Sequence, residues 1–127
     1  MDFKSTKGIY LQIVDNLCRQ ILEGQLKSGD RVASVRDLAA EFEVNHNTVM
    51  RAYTNLQESG IFDNKRGIGF FVSEKAFELI KANEKANFFS QDLPDFILKV
   101  KLLQLNSQDL TELLSSIKNN DYEIDNQ

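Results

Sequence analysis

From Ile9 to Leu22, the apolar residues Tyr10, Ile13, Val14, Leu17 and Ile21 recur at the three- and four-residue steps of a helix. Gly24 suits the position just past that helix's end. "KSGDR", residues 27–31, reads as a turn, and "RVAS" as a short extended lead into the next element. Ser34 is a good N-cap, with Asp37 three residues on in an arrangement close to a capping box. The helix it opens runs to about Phe42 and buries Val35, Leu38, Ala39 and Phe42. After a turn at Glu43, Val44 and Asn45, a third helix is expected, capped by Asn45, running to about Ser59 and stopped by Gly60.

The period then changes. In "IFDNKRGIGFFV" two β-prone runs, "IFD" and "FFV", flank "NKRGIG", whose glycines permit positive φ, and the stretch predicts a hairpin. Two short helices joined by a tight turn are the parts of a helix-turn-helix. With a helix before them and a hairpin after, the fold class expected is α+β and mostly helical: a winged helix-turn-helix over residues 1–75. Residues 1–7 read as a mobile leader.

Residues 76–127 differ. "EKAFELIKANEKANFF" has helical propensity. Leu93, Phe96, Ile97, Val100 and Leu103 keep helical spacing, with Pro94 fitting a first turn or a kink. Ser107 is a candidate N-cap for a last helix whose stripe is Leu110, Leu113, Leu114 and Ile117, and "NNDYEIDNQ" reads as a fraying polar end. So much apolar area exceeds what short helices hide by themselves, and about fifty residues are too few for a ligand domain with its own core. Burial against the first 75 residues and against the same helical region of a second copy, with two-fold symmetry, is the expected solution, making residues 76–127 a dimerisation region.

The third helix carries the candidate chemistry. At 100° per residue, with Val49 at zero, Ala52, Tyr53 and Leu56 fall within about 60° on one face, while Thr54, Asn47 and Arg51 lie at about 140°, 160° and 200°. A polar outer face is ordinary on a surface helix. In a helix-turn-helix, however, the second helix enters the major groove and its N-terminal residues meet base edges. There asparagine pairs with adenine and arginine with guanine. First-turn N–H groups suit phosphate oxygens. Asn45, His46, Asn47, Thr48 and Arg51 are therefore candidate DNA contacts. Arg36, in the first turn of the preceding helix, is a candidate for a phosphate or a base contact, and Lys65, Arg66 and Gly67, at the expected hairpin tip, are candidates for the sugar-phosphate backbone.

Composition changes the picture only in part. The chain has 127 residues, 42% hydrophobic and 27% charged, with net charge −4. Residues 1–75 hold ten Lys/Arg and ten Asp/Glu, so any cationic surface is local; the acidic excess lies wholly beyond them. No apolar run is long enough to span a membrane, and no signal peptide is evident at the start. A lone cysteine, Cys18, forms no internal disulfide and reads as a small core residue, which points to a reducing, cytoplasmic setting. His46 has no ligand-spaced partners, and "GIG" at 67–69 lacks the rest of a dinucleotide motif. No metal, cofactor or enzyme activity is expected.

"IYLQI", "G-x-L-x-x-GDR", "SVRDLA", "VNHNTVMRAY", "L-x-x-SGI" and "RGIGFFV", in order across residues 9–72, resemble the DNA-binding domain of the GntR family of bacterial transcription regulators. The short helical remainder is similar to the YtrA-like subfamily. The resemblance implies a homodimeric repressor on double-stranded DNA, often at a transporter operon, with contacts from Arg36, Asn45, His46, Asn47, Thr48, Arg66 and Gly67. Met50 stands where some relatives carry a DNA-reading arginine, Ala33 where proline is usual, and His46 where proline is frequent. Ile68 and Phe70 stand where a basic residue and a threonine are common in the wing. The alternatives are a winged-helix protein-interaction module and a ligand sensor with little DNA affinity; any effector is unknown.

Overall fold

The computed structural model describes residues 7–125, with side chains through residue 120. The first six residues of the expected leader lie outside it. The elements are α1 (Ile9–Leu22), α2 (Val35–Phe42), α3 (His46–Glu58), β1 (Phe62–Lys65), β2 (Gly69–Val72), α4 (Ala76–Asn87), a π-helical turn (Phe88–Asp92), α5 (Leu93–Leu102) and α6 (Ser107–Asp125). The chain divides into two compact units, one ending at Lys85 and one beginning at Ala86.

In the first unit, α1, α2 and α3 turn their apolar stripes onto a common core. Ile13, Leu17, Leu38, Val49 and Leu56 are all buried. Tyr10, Val14 and Phe42, expected in the same stripes, are only half-buried and pack at the margin. Tyr53 sits at the centre. Its ring meets Phe62 edge-on at 5.2 Å and Phe70 at 5.1 Å, while its hydroxyl donates to the Ala33 carbonyl at 2.6 Å. One side chain thus ties α3 to both wing strands and to the lead of α2, the apolar body filling the core and the polar tip finding its acceptor. Burial, and secondarily the charge of Glu41, raises the Tyr53 phenol far above its ordinary range, so it stays a neutral donor. Phe70 is therefore a packing residue of the wing.

The helix starts follow the expected caps. Ser34 Oγ accepts from the Asp37 N–H at 3.0 Å, and Asn45 Oδ1 from the Asn47 N–H at 2.7 Å. Glu43 closes α2 in the left-handed region at φ 55°. Ahead of α2, residues 29–32 run along β2: Gly29 N–H donates to Val72 O, Val72 N–H to Asp30 O and Val32 N–H to Phe70 O, at 2.8–2.9 Å, with an antiparallel bridge between Arg31 and Phe71. The short extended lead is thus a third rung on the hairpin.

The hairpin differs from expectation in its extent. β1 pairs with β2 from Phe62↔Val72 to Lys65↔Gly69, which leaves a turn of only Arg66, Gly67 and Ile68. Asn64 and Lys65 belong to the ladder, because ladder bonds are made by backbone and need no apolar side chain. α4 also begins inside the first unit's core, where Ala76 and Ile80 are buried.

The second unit has helices without a core. None of its described side chains is buried. Leu93, Val100 and Leu110 are half-buried, but Leu113, Leu114 and Ile117, expected as a buried stripe, are about half exposed, and Leu103 is 68% exposed. Pro94 occupies the first turn of α5, where its missing N–H is tolerated. The last helix is capped by Asn106, not Ser107. Asn106 Oδ1 accepts from the Asp109 N–H and Asp109 Oδ2 from the Asn106 N–H, both at 2.9 Å, a reciprocal pair that Ser107 is one residue too late to make. α6 continues to Asp125, through most of the polar end expected to fray.

Candidate nucleic-acid interface

The helix-turn-helix places one face of α3 wholly in the core and leaves the other open. Val49, Ala52, Tyr53 and Leu56 have no solvent exposure, whereas Asn47, Met50, Arg51 and Thr54 are exposed. The side chains of Arg36, Asn45 and His46 are also exposed, and that of Thr48 is half-buried.

The cap sets what the start of α3 offers. Asn45 Oδ1 occupies the Asn47 N–H, and the Asn45 carbonyl takes those of Thr48 and Val49 at 3.0 and 3.3 Å. That narrows the first-turn N–H groups open to an incoming phosphate, so side chains carry more of the expected contact there.

Arg51 is less free than expected. Its guanidinium carbon lies 3.9 Å from the centroid of the Tyr10 ring on α1. A cation seated on an aromatic face is held by the ring and needs no acceptor there, so its donors are not consumed by the contact. Tyr10 and Arg51 line a shallow open groove of about 460 Å³ together with Asn47, Met50, Thr54, Asn55 and Glu58. Tyr10 is a residue of this surface that the sequence pattern does not single out. Its partner is 41 positions away, so helical spacing along either helix alone does not reveal the pair.

At the wing the three candidates separate. Arg66 and Gly67 form the turn, Gly67 with φ 78°. Lys65 is the last paired residue of β1, and its ammonium lies 4.3 Å from the Phe71 ring centroid. Ile68 puts an apolar side chain, 58% exposed, at the turn. Among the described residues no three His, Cys, Asp or Glu side chains converge as a metal would need. Cys18 is only partly buried, and burial, then Asp15, then Glu84, push its thiol up to about 11, which keeps it protonated.

The family described as "Bacterial regulatory proteins, gntR family" matches residues 9–72, the span from α1 to the end of the wing. The chain belongs to the GntR family. It is 34% identical over 110 residues to the uncharacterised HTH-type transcriptional regulator YhcF of Bacillus subtilis, covering 87% of this chain and 89% of that one. It is 32% identical over 117 residues to the HTH-type transcriptional repressor YtrA of the same organism, covering 92% and 89%. A solved GntR family transcriptional regulator from Listeria monocytogenes superposes with TM-score 0.71 at 33% identity, over 90% of this chain and 98% of that one. These matches run past the wing into the helical remainder, which identifies the chain as a YtrA-like GntR regulator. It is a DNA-binding transcription regulator of winged helix-turn-helix fold, and its relatives regulate transcription rather than catalyse reactions. Among the described residues no helix is long and apolar enough to cross a membrane.

Proposed function

We propose that the chain is a homodimeric cytoplasmic repressor that binds a two-fold symmetric operator, with a transporter operon among its targets. The observation that carries the DNA reading is the division of α3 into a fully buried face and an exposed polar one, beside a glycine-turned wing. In this reading Asn47 and Arg51 face base edges, with Asn45, His46 and Thr48 around them at the groove wall. Arg36, Lys65, Arg66 and Gly67 meet the sugar-phosphate backbone. The seat of Arg51 on Tyr10 supports this reading, since it holds the guanidinium beside the exposed face of α3.

The dimer rests on the second unit. Phe89, Leu102 and Leu103 are each more than 60% exposed, an apolar display that a soluble monomer rarely carries. A second copy of the same unit, related by a two-fold axis, covers it at no cost in new sequence. It also gives the two helix-turn-helix units that half-sites about 34–36 Å apart require. Repression is supported by the relation to YtrA, named as a repressor; the transporter target follows from the subfamily resemblance and is read out as transcript changes on deletion.

The deciding experiment is a gel shift with the DNA preceding the chain's own coding sequence and a scrambled duplex of the same composition, with sedimentation of the protein in parallel. A selective shift by a dimer is the expected result. Equal retention of the two duplexes rejects the operator reading, and a monomer at micromolar concentration rejects the dimer.

A further inference from the structure

Arg31 is a cation of the first unit with closely specified surroundings. Its backbone is fixed on the outer side of β2 by the bridge to Phe71 and by the flanking Val72→Asp30 and Val32→Phe70 hydrogen bonds. Its side chain is exposed yet directed: Nη2 donates to the Ile68 carbonyl at 2.6 Å. On the way the guanidinium crosses Gly69. A Cβ built there would stand 3.1 Å from Arg31 Nε and 3.3 Å from Nη2, and Gly69 has φ 145°, a conformation that side chains seldom adopt. The glycine of "RGIG" that pairs with Lys65 is thus the floor on which Arg31 lies.

The consequence falls on the turn. From within the hairpin, Arg66–Ile68 is closed by the Ile68 N–H to Lys65 O bond at 2.9 Å. From outside, the same residue is gripped through its carbonyl by Arg31. A three-residue turn with one positive-φ glycine and no core contact of its own has few other restraints. A guanidinium is planar and presents its donors in a fixed fork, so it can lie flat over a glycine and still reach a carbonyl; an ammonium cannot do both.

We propose that Arg31 is the positioning residue of the wing, holding the Arg66–Ile68 turn where Arg66 and Gly67 meet a DNA phosphate. The role rests on the wing reading given above, whereas the bracing itself can be measured without DNA. Because Arg31 is exposed, its replacement leaves the core intact, which circular dichroism checks.

Two measurements test it. The first is amide hydrogen exchange on the free protein. Arg31→Ala should speed exchange at Ile68 about tenfold, the scale of one charge-assisted hydrogen bond, and leave Leu56 unchanged. Arg31→Lys, which keeps the charge and loses the fork, should behave like Arg31→Ala. Unchanged exchange at Ile68, or full rescue by lysine, overturns the brace whatever DNA does. The second is binding to a duplex enriched from a random pool by the parent chain. Arg31→Ala should weaken binding about tenfold in the parent but less than about twofold in the Lys65→Ala/Arg66→Ala background, because the contacts it positions are then gone. Full additivity makes Arg31 a phosphate contact in its own right and overturns the positioning role. If Lys65→Ala/Arg66→Ala itself binds like the parent, the wing-phosphate reading fails and the DNA role of Arg31 fails with it, while hydrogen exchange still decides the brace.

Discussion

The two units of this chain carry the same hydrophobic rhythm and come to different ends. In the first, apolar residues at helical spacing on α1, α2 and α3 are buried against one another and against the hairpin. In the second, the same spacing on α5 and α6 leaves Phe96, Ile97, Leu113 and Ile117 between 41% and 50% exposed. Periodicity specifies that a helix has an apolar face; it does not specify what covers that face. In the first unit the cover comes from elements of the same unit: α1 packs on α3, α3 on α2 and on β1. In the second no such cover exists among the described residues, and a second chain is the candidate.

The sharpest way to break that contrast is to delete matching aromatics. Phe62 is 1% exposed and stacked against Tyr53. Phe62→Ala should cost about 3–5 kcal/mol, enough to unfold much of the population of a small domain. Phe89 is 63% exposed. Phe89→Ala should change the stability of the dilute chain by no more than about 0.5 kcal/mol while raising the dissociation constant of the proposed dimer. Urea melts and sedimentation measure the two effects. Equal destabilisation by both replacements would mean that the second unit has a core after all.

A pair of truncations places the boundary. Ending the chain after Lys85 keeps Ala76 and Ile80 in the first unit's core, so a folded monomer with weak operator binding is expected. Ending it after Glu74 removes both, and losing the Ile80 side chain alone should cost about 2–5 kcal/mol. The shorter piece should therefore melt well below the longer one. A full-length monomer whose DNA affinity survives truncation after Lys85 sinks the role given to the second unit.

Most of the first unit is legible in the sequence because its signals are local. Ser34 and Asn45 act as caps, and the buried face of α3 falls where 100° per residue puts it. What was missed depends on distance along the chain. The Tyr10–Arg51 stack spans α1 and α3, the Arg31–Ile68 bond links residues 37 apart, and the extent of the hairpin depends on backbone pairing rather than on side-chain type. The Asn106–Asp109 pair is a local signal that the serine beside it masks, since both residue types are good N-caps.

Within α3 the contrast is between faces. Asn47→Ala and Arg51→Ala should each leave the melting temperature near the parent's but cost about 1–3 kcal/mol of operator binding, with relaxed preference at one base position. The Tyr10 stack adds a refinement: Tyr10→Leu keeps an apolar body but removes the aromatic seat, and should reproduce part of the Arg51→Ala loss. Competition with duplexes varied one position at a time reads this directly. Parent-like discrimination in both single variants would remove base reading from these residues.

The smallest expected effect separates structure from function at one atom. Asn45 Oδ1 caps α3 by accepting from the Asn47 N–H, and Asn45 also stands at the end of the helix proposed to enter the groove. Asn45→Ala removes the acceptor and should cost about 1 kcal/mol of stability, so its weaker DNA binding would have two explanations. Asn45→Asp removes that ambiguity. A carboxylate still accepts from the same N–H, and its negative charge at a helix N-terminus is favourable by about 0.3–1 kcal/mol. The melting temperature should therefore equal or slightly exceed the parent's. The same charge facing DNA phosphate is unfavourable, so operator binding should fall although the fold is at least as stable, and the deficit should shrink as salt screens the repulsion. An aspartate variant that binds as tightly as the parent at every salt concentration would confine Asn45 to capping and turn the start of α3 away from the nucleic acid.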